Sequence, residues 1–306
     1  MMTYNYYLPI DIYKMTFREA LAENIKEKRP NLSASSLKTY VSILFNLHKK
    51  LNPDGDDMKF FEDDGKILDV LKEKPPSTRK TVLSALFVLT GKKEYNDLML
   101  EDCKHTNLKY KEQQKSQKEE DNWVSVDEIK TIYDGLLEEV NSMFSKRLLS
   151  NYQTIVNFIL LGCLGGVSGL PPRRSLDFCE MKIKNYEKTD NYYKAGKFYF
   201  NKYKTAKDYG EQVIDVRAKA PEFNAILTKW VKSNPTDYLL FSSNQQKLTS
   251  PQVTRLLNKL FGKKTSTDLL RHIYLTNKYG KLQAEMLADS QDMSHSLAQQ
   301  ALYIKK

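Results

Sequence analysis

Ten consecutive residues, 111–120 (KEQQKSQKEE), carry no apolar side chain. A segment with nothing to bury cannot join a packed core, so the chain must fold on either side of it. The stretch reads as an inter-domain linker over 111–121, with the exposed end of a long helix as the alternative. The length of 306 residues asks for the same division, because one hydrophobic core rarely grows beyond about 250–300 residues. The expected domains are therefore 1–110 and 122–306.

The first is patterned as helices. After Thr16, Phe17, Leu21 and Ile25 recur at helical spacing and stop before Pro30. Ser33, Ser35 and Ser36 can cap a second helix with Leu37, Tyr40, Leu44, Leu47 and Leu51 on one face, ended by Asn52-Pro53-Asp54-Gly55. A short helix follows over Ile67–Leu71. Another, capped by Ser77, turns Val82, Leu83, Leu86 and Leu89 inward up to Gly91, and one near Tyr95–Leu100 completes an all-α unit.

In the second domain, Trp123 and Val124 lead into a Ser125-x-x-Glu128 capping box whose helix turns Ile129, Ile132, Leu136, Leu137 and Val140 inward. The helix over about Tyr152–Leu164 is apolar on all sides. Alternation in 182–186 and 197–217 (Phe198, Phe200; Val213, Ile214, Val216), around the turn Ala206–Gly210, predicts a β-hairpin. Helices return over Pro221–Lys232, Ser250–Phe261, Ser266–Tyr279, Leu282–Leu287 and Leu297–Tyr303.

Lysine and arginine total 48 against 38 acids, a formal charge of +10 that points to a polyanionic partner. Cys103, Cys163 and Cys179 make neither a disulfide framework nor a CxxC zinc motif. The longest apolar run, Ile155–Leu170, is broken by Asn157 and several glycines and is too short to span a bilayer. The opening MMTYNYYLPID lacks the basic-then-apolar pattern of a secretory leader, so the chain is expected to be intracellular. No P-loop, HExxH or GxSxG occurs, and Asp63-Asp64 and Glu119-Glu120 read as turn or linker charges rather than magnesium ligands. NTPase, zinc- or serine-hydrolase and metal-dependent nuclease chemistry have no motif support.

What remains is a set of phosphate-seeking groups. The turn Gly165-Gly166-Val167-Ser168-Gly169 leads into Pro171-Pro172-Arg173-Arg174-Ser175-Leu176-Asp177, where an arginine on a rigid turn offers a planar fork to phosphate. Read alone, Arg174 and Asp177 are better explained as a surface ion pair. Eight lysines fall between positions 182 and 207, Lys202, Lys204 and Lys207 among them, interleaved with Tyr192, Tyr193, Tyr199 and Tyr203. Such an edge suits a nucleic-acid backbone or is merely solvated. His272 stands in DLLRHIY, His295 in DMSHS, and Tyr303 eight residues beyond. His48 and His105 read as structural.

In this order, the pieces resemble the tyrosine site-specific recombinase (phage integrase) family, over most of the chain. Arg174 with Asp177 is similar to the first-arginine motif Arg-x-x-Glu, with Asp in place of Glu. Lys204, in Lys-Thr-Ala-Lys, matches the hairpin lysine, and Leu270-Arg271-His272 the second-arginine box. Met293-Ser294-His295-Ser296 resembles the Gly-His-Ser box, and Tyr303 takes the nucleophile's place. The double-proline, double-arginine form is similar to recombinases of eukaryotic mobile elements and large DNA viruses. The resemblance implies a mainly α, two-domain DNA clamp: a helical, SAM-like core-binding domain and a helical catalytic domain with a small β-hairpin sheet. It implies Tyr303 attacking a phosphodiester, Arg174, Arg271 and His295 stabilising the phosphate, Lys204 protonating the leaving oxygen, and Asp177 and His272 orienting the arginines. Double-stranded DNA is the implied partner, bound by a homo-oligomer, a tetramer, without membrane, metal or cofactor. Cell compartment follows the target DNA, whether nuclear or cytoplasmic. Arg173, Lys202 and Lys207, with Lys38, Arg79 and Lys80 of the first domain, are the expected DNA contacts.

Three departures stand out. Asp268 occupies the place of the first histidine in His-x-x-Arg, and an ionised carboxylate repels phosphate. Ser294 replaces the glycine before His295, and the histidine-to-tyrosine interval is one residue short of the usual one. Only Ile304, Lys305 and Lys306 follow Tyr303, where many relatives carry a further helix placed in a neighbouring subunit. The rival readings are type IB topoisomerase-like relaxation, disfavoured by a helical rather than β-rich first domain, and an integrase-derived DNA-binding protein that no longer cuts, for which Asp268 is the argument.

Overall fold

A computed structural model of the chain describes residues 15–55, 57–147 and 151–305, with the side chain of Lys109 aside; the N-terminal segment considered above as a leader lies outside them. It is mainly helical, with one small antiparallel sheet, and divides into two compact units between Gln114 and Lys115.

The first unit packs α1 (Phe17–Lys28), α2 (Ala34–Leu51), α3 (Asp64–Lys72), α4 (Pro76–Thr90) and α5 (Lys93–Lys111), with a 3₁₀ turn over Met58–Glu62. Thr16 and Glu19 form a reciprocal capping box that starts α1, and Ser33 caps α2. Pro76, not a residue after Ser77, opens α4: its fixed φ and missing N–H suit the first helical position. Leu21, Ile25, Leu44, Leu83, Leu86 and Tyr95 are fully buried, each aliphatic side chain contributing about 1.5–3 kcal/mol by leaving water. The last helix runs much further than the expected Tyr95–Leu100. It is tied to α4 by a forked pair in which Arg79 donates to both carboxylate oxygens of buried Asp102 at 2.6 and 2.8 Å.

The 111–121 stretch is correspondingly less of a linker than its composition implies. α5 reaches Lys111, and α6 (Gln117–Asn122) starts at a second capping box, Ser116 with Glu119. Local capping outweighs the missing apolar face here.

In the second unit, α7 (Val126–Lys146) lies against α8 (Tyr152–Leu164), which is buried from Thr154 to Leu164 save Asn157. Around α8 pack α9 (Ser175–Cys179), β1 (Tyr192–Lys194), β2 (Lys197–Phe200), α10 (Ala206–Tyr209), β3 (Gln212–Asp215), α11 (Val216–Lys219) and α12 (Pro221–Ser233). A Cβ at Gly162 would stand 2.3 Å from the Phe223 ring, so α8 and α12 meet more closely than any larger residue permits. The sheet has the order β1-β2-β3, pairing Tyr193 with Phe198 and Phe198 with Ile214. It differs from the expected hairpin in having three strands, with the 206–210 turn as one turn of helix and 182–186 outside the ladder apart from isolated bridges from Lys182 to Tyr192 and Tyr238. Phe198 and Phe200 point into the core against Phe178.

The unit closes with α13 (Ser250–Phe261), α14 (Thr267–Asp292) and α15 (Leu297–Tyr303). Where two helices were expected over 266–287, there is one, unbroken across Gly280. A glycine inside a helix costs only about 1 kcal/mol relative to alanine, and its neighbours here are good helix formers. Among the described residues, no helix is long and apolar enough to cross a membrane.

Candidate active site

The turn after α8 is held open by glycine. Gly166 (φ +73°) and Gly169 (φ +99°) lie in left-handed conformations, and a Cβ would come within 2.5 Å of the Tyr274 ring at the first and of the Lys219 carbonyl at the second. Emerging from it, Pro171 and Pro172 deliver the two arginines to the start of α9, which is anchored to α13 by the Ser175–Ser250 hydroxyl pair at 2.8 Å.

Here the second unit forms a cavity of about 240 Å³, lined by Arg173, Arg174, Arg271 and Asp177 with Tyr203, Thr205, Tyr209 and Gln212 from the sheet edge. Arg174 and Arg271, far apart in sequence, are thus brought together. The three guanidinium groups are differently committed. Arg173 donates from Nε to Asp177 Oδ2 at 2.8 Å and lies over the Phe200 ring at 4.0 Å and the Tyr203 ring at 5.2 Å. It is a framing group rather than a loose DNA contact. Arg271 donates to the exposed Asp268 at 3.0 Å. Arg174 makes no side-chain hydrogen bond or ion pair with any described residue, which leaves its fork available to an anion.

Asp177 therefore orients Arg173, not Arg174. Its other oxygen, Oδ1, is buried and unpartnered, and burial raises its pKa against the opposing pull of Arg173 and Arg174. His272 has no bond to Arg271: its Nδ1 pairs with Glu119 Oε1 at 2.9 Å, tying α14 to α6, while its Nε2 lies 4.0 Å from the Asp268 carboxylate that holds Arg271. Glu119 is held at about 2, chiefly by hydrogen bonds from the Ser116 backbone and hydroxyl and then by His272.

Lys204 is exposed on the rim, between cavity-lining Tyr203 and Thr205. The loop that carries it is closed by the Tyr203 hydroxyl donating to the Gly210 carbonyl at 2.6 Å. By sequence Tyr203 is only one of the tyrosines along the lysine edge and Gln212 carries no signal, since only the fold brings the sheet edge to the arginine cavity. Lys202 is spoken for: with Lys182 it donates to Asp190 at 2.8 Å, and that carboxyl is driven below its ordinary range by the Glu187 amide and both lysines. Lys207 and Lys38 are exposed, Lys80 is half-buried, and Arg79 serves the Asp102 pair already described.

His295 and Tyr303 form a second cluster. Their rings lie 5.7 Å apart, and both imidazole nitrogens of His295 are buried without a partner among the described residues. Ser294 adopts φ +54°, the conformation for which glycine is the natural residue. This pair does not line the arginine cavity. α14 is continuous from Arg271 to Asp292, so at about 1.5 Å per residue about 32 Å of helix separates the two clusters.

No family model matches the sequence. No curated protein matches it either. Among solved structures the chain is similar to a XerA recombinase, with 14% identity over 94% of this chain and 93% of that one and a TM-score of 0.36.

Proposed function

We propose that the chain is a tyrosine recombinase that cuts and rejoins DNA through a 3′-phosphotyrosine. The observation that carries this reading is the cavity that Arg174 and Arg271 both line, with Arg174 uncommitted among the described residues. Two such forks suit the non-bridging oxygens of a phosphodiester and the charge that builds on them as a fifth oxygen approaches. In the cleavage step the Tyr303 hydroxyl loses its proton to solvent and its oxygen bonds to phosphorus as the bond to the 5′-oxygen breaks. Lys204 gives that oxygen its proton, and His295 donates to the phosphate. Rejoining reverses the same bonds, so the phosphotyrosine conserves the energy of the broken link.

The test is covalent trapping. Wild type and Tyr303→Phe are incubated with nicked suicide duplexes from a pooled sequence library and resolved in denaturant. A protein–DNA band in wild type that vanishes in Tyr303→Phe is expected, and a band that survives the substitution refutes the assignment. One observation favours a second reading, a DNA binder that no longer cuts: Asp268 already holds Arg271. That reading expects no band from either protein alongside binding that weakens steeply with salt.

A further inference from the structure

After Ile273, α14 leaves its own core. Leu269, Leu270 and Ile273 are buried, whereas Leu275, Tyr279 and Leu282 are 49%, 45% and 54% exposed. These three and half-buried Met286 are spaced 4-3-4, so at about 100° per residue they fall within about 60° of one another, on the face opposite the buried one. A 4-3-4 apolar stripe is the seam by which helices pair.

We infer that this arm pairs antiparallel with the same arm of a second copy, about a two-fold axis between Gly280 and Lys281. The stripe is a palindrome about that point. Leu275 meets the partner's Met286, and Tyr279 meets the partner's Leu282, with each pair repeated by symmetry. The flanks agree in charge as well as shape. Lys278 falls beside the partner's Glu285, twice over, while Thr276 and Gln283 flank the other side without charge. In a parallel pair Lys278 and Glu285 would face glutamine and serine, so charge selects the antiparallel arrangement. Among the described residues Glu285 pairs with Lys281, at 3.9 Å, and Lys278 donates to the Tyr274 hydroxyl at 3.1 Å, both exposed contacts that a closer ion pair can replace. The same register carries the far end of one α14, with the His295–Tyr303 pair just beyond it, to the end of the partner's α14 that bears Arg271. The two clusters that one chain holds about 32 Å apart are then joined across two chains. This last consequence rests on the recombinase reading; the pairing itself does not.

The experiment begins without DNA. Sedimentation velocity on the full chain, at tens of micromolar, is expected to show a dimer for wild type and a monomer for Leu282→Glu, with unchanged circular dichroism. Lys278→Glu and Glu285→Lys should each weaken the dimer about tenfold, since the symmetric pair is lost twice, and the double exchange should restore it. The two positions are seven residues apart on one helix, too far to pair within a chain, so rescue identifies a contact between copies. A wild-type monomer, or a double exchange no better than either single one, overturns the proposal. Trapping then joins the two ideas: a mixture of Tyr303→Phe and Arg174→Ala chains should recover the covalent band that neither gives alone. Should wild type trap no DNA at all, the recombinase reading falls and sedimentation alone decides the pairing.

Discussion

Asp177 is the residue on which the arginine cavity is framed, and its replacement separates two roles that a buried carboxylate can play. It is 2% exposed, accepts from Arg173 through Oδ2, and leaves Oδ1 without a donor. Replacing it with alanine strands the Arg173 guanidinium, itself largely covered by Phe200 and Tyr203. Breaking a buried pair from one side costs about 3–5 kcal/mol. With a urea m-value of about 2–3 kcal/mol/M, the midpoint should fall by about 1–2 M. Asparagine behaves differently. It keeps an acceptor for Arg173, and because burial raises the Asp177 pKa, the fold prefers this group uncharged. Asp177→Asn should therefore lie within about 1 kcal/mol of wild type. The sign of the pH dependence follows. A raised native pKa gives stability that is greatest below the ordinary carboxylate range and is lost as pH rises through it, so wild type should lose ground to Asp177→Asn in that direction. Tryptophan fluorescence is the assay of choice, since Trp123 and Trp230 both belong to the second unit and report its unfolding alone. An alanine variant within about 0.5 kcal/mol of wild type, or a pH trend of the opposite sign, would refute the reasoning.

Three further outcomes are expected. Gly166→Ala should cost the second unit about 2–5 kcal/mol, from the left-handed φ and the collision with Tyr274, whereas Gly135→Ala, with open space around it in α7, should gain about 0.5–1 kcal/mol in the same urea titration. Ser294→Gly should leave the turn between α14 and α15 intact while Ser294→Val, a β-branched residue at positive φ, frays it, read as hydrogen-exchange protection of residues 294–300. Glu119, depressed from 4.5 to about 2, lends stability that is present above its ordinary range and disappears as pH falls from about 4.5 toward 2; acid titration followed at neighbouring Trp123 should show this step, and Glu119→Gln should remove it.

What the sequence disclosed and what it hid divide along the range of the interactions concerned. Ser125 with Glu128, Gly91 after α4, and the limits of α13 and α15 are legible because capping and termination act within a few residues. The Ser116–Glu119 box is equally local. By composition a segment without apolar residues reads as a linker, yet the box starts α6 and the contacts of Glu119 with His272 and of Asn122 with the Lys264 amide hold it. Gly280 misled in the opposite way, as its modest helix penalty marks a break only where something else competes for the backbone. At the site, the pairing of Arg174 with Arg271 follows from motif order, but the ion pair on Asp177 goes to Arg173. α9 begins at Ser175, and the aromatic face of Phe200 draws the other arginine down beside the carboxylate. No sequence spacing reports that face, because it arrives through the sheet. Counting lysines likewise overstated the free charge of the 182–207 edge, since Asp190 binds two of them.

Asp268 then decides how the cavity is to be understood. The carboxylate is 71% exposed and bonds Arg271 through a single contact three residues along the helix. Exposed pairs of this kind are worth about 0–1 kcal/mol and weaken further with salt. On the recombinase reading, a phosphodiester entering the cavity lined by Arg174 and Arg271 would offer two charged oxygens to two forks in a partly enclosed space, where charge-assisted hydrogen bonds are at their strongest. The competition therefore favours phosphate, and Asp268 can swing into water when displaced. Its presence lowers anion affinity by at most about fivefold. On the recombinase reading Arg174, with no side-chain partner among the described residues, is the first to meet the phosphate, and Arg271 follows by giving up its exposed carboxylate. The greater obstacle to cleavage in a single chain is distance. The arginine cavity lies at one end of α14, His295 and Tyr303 stand beyond its other end, and no rotation of side chains spans the helix between them. Any route to catalysis must therefore either break α14 or bring a second one beside it. The uncovered stripe from Leu275 to Met286 supplies a reason for the second course, while unbroken helix across Gly280 supplies none for the first.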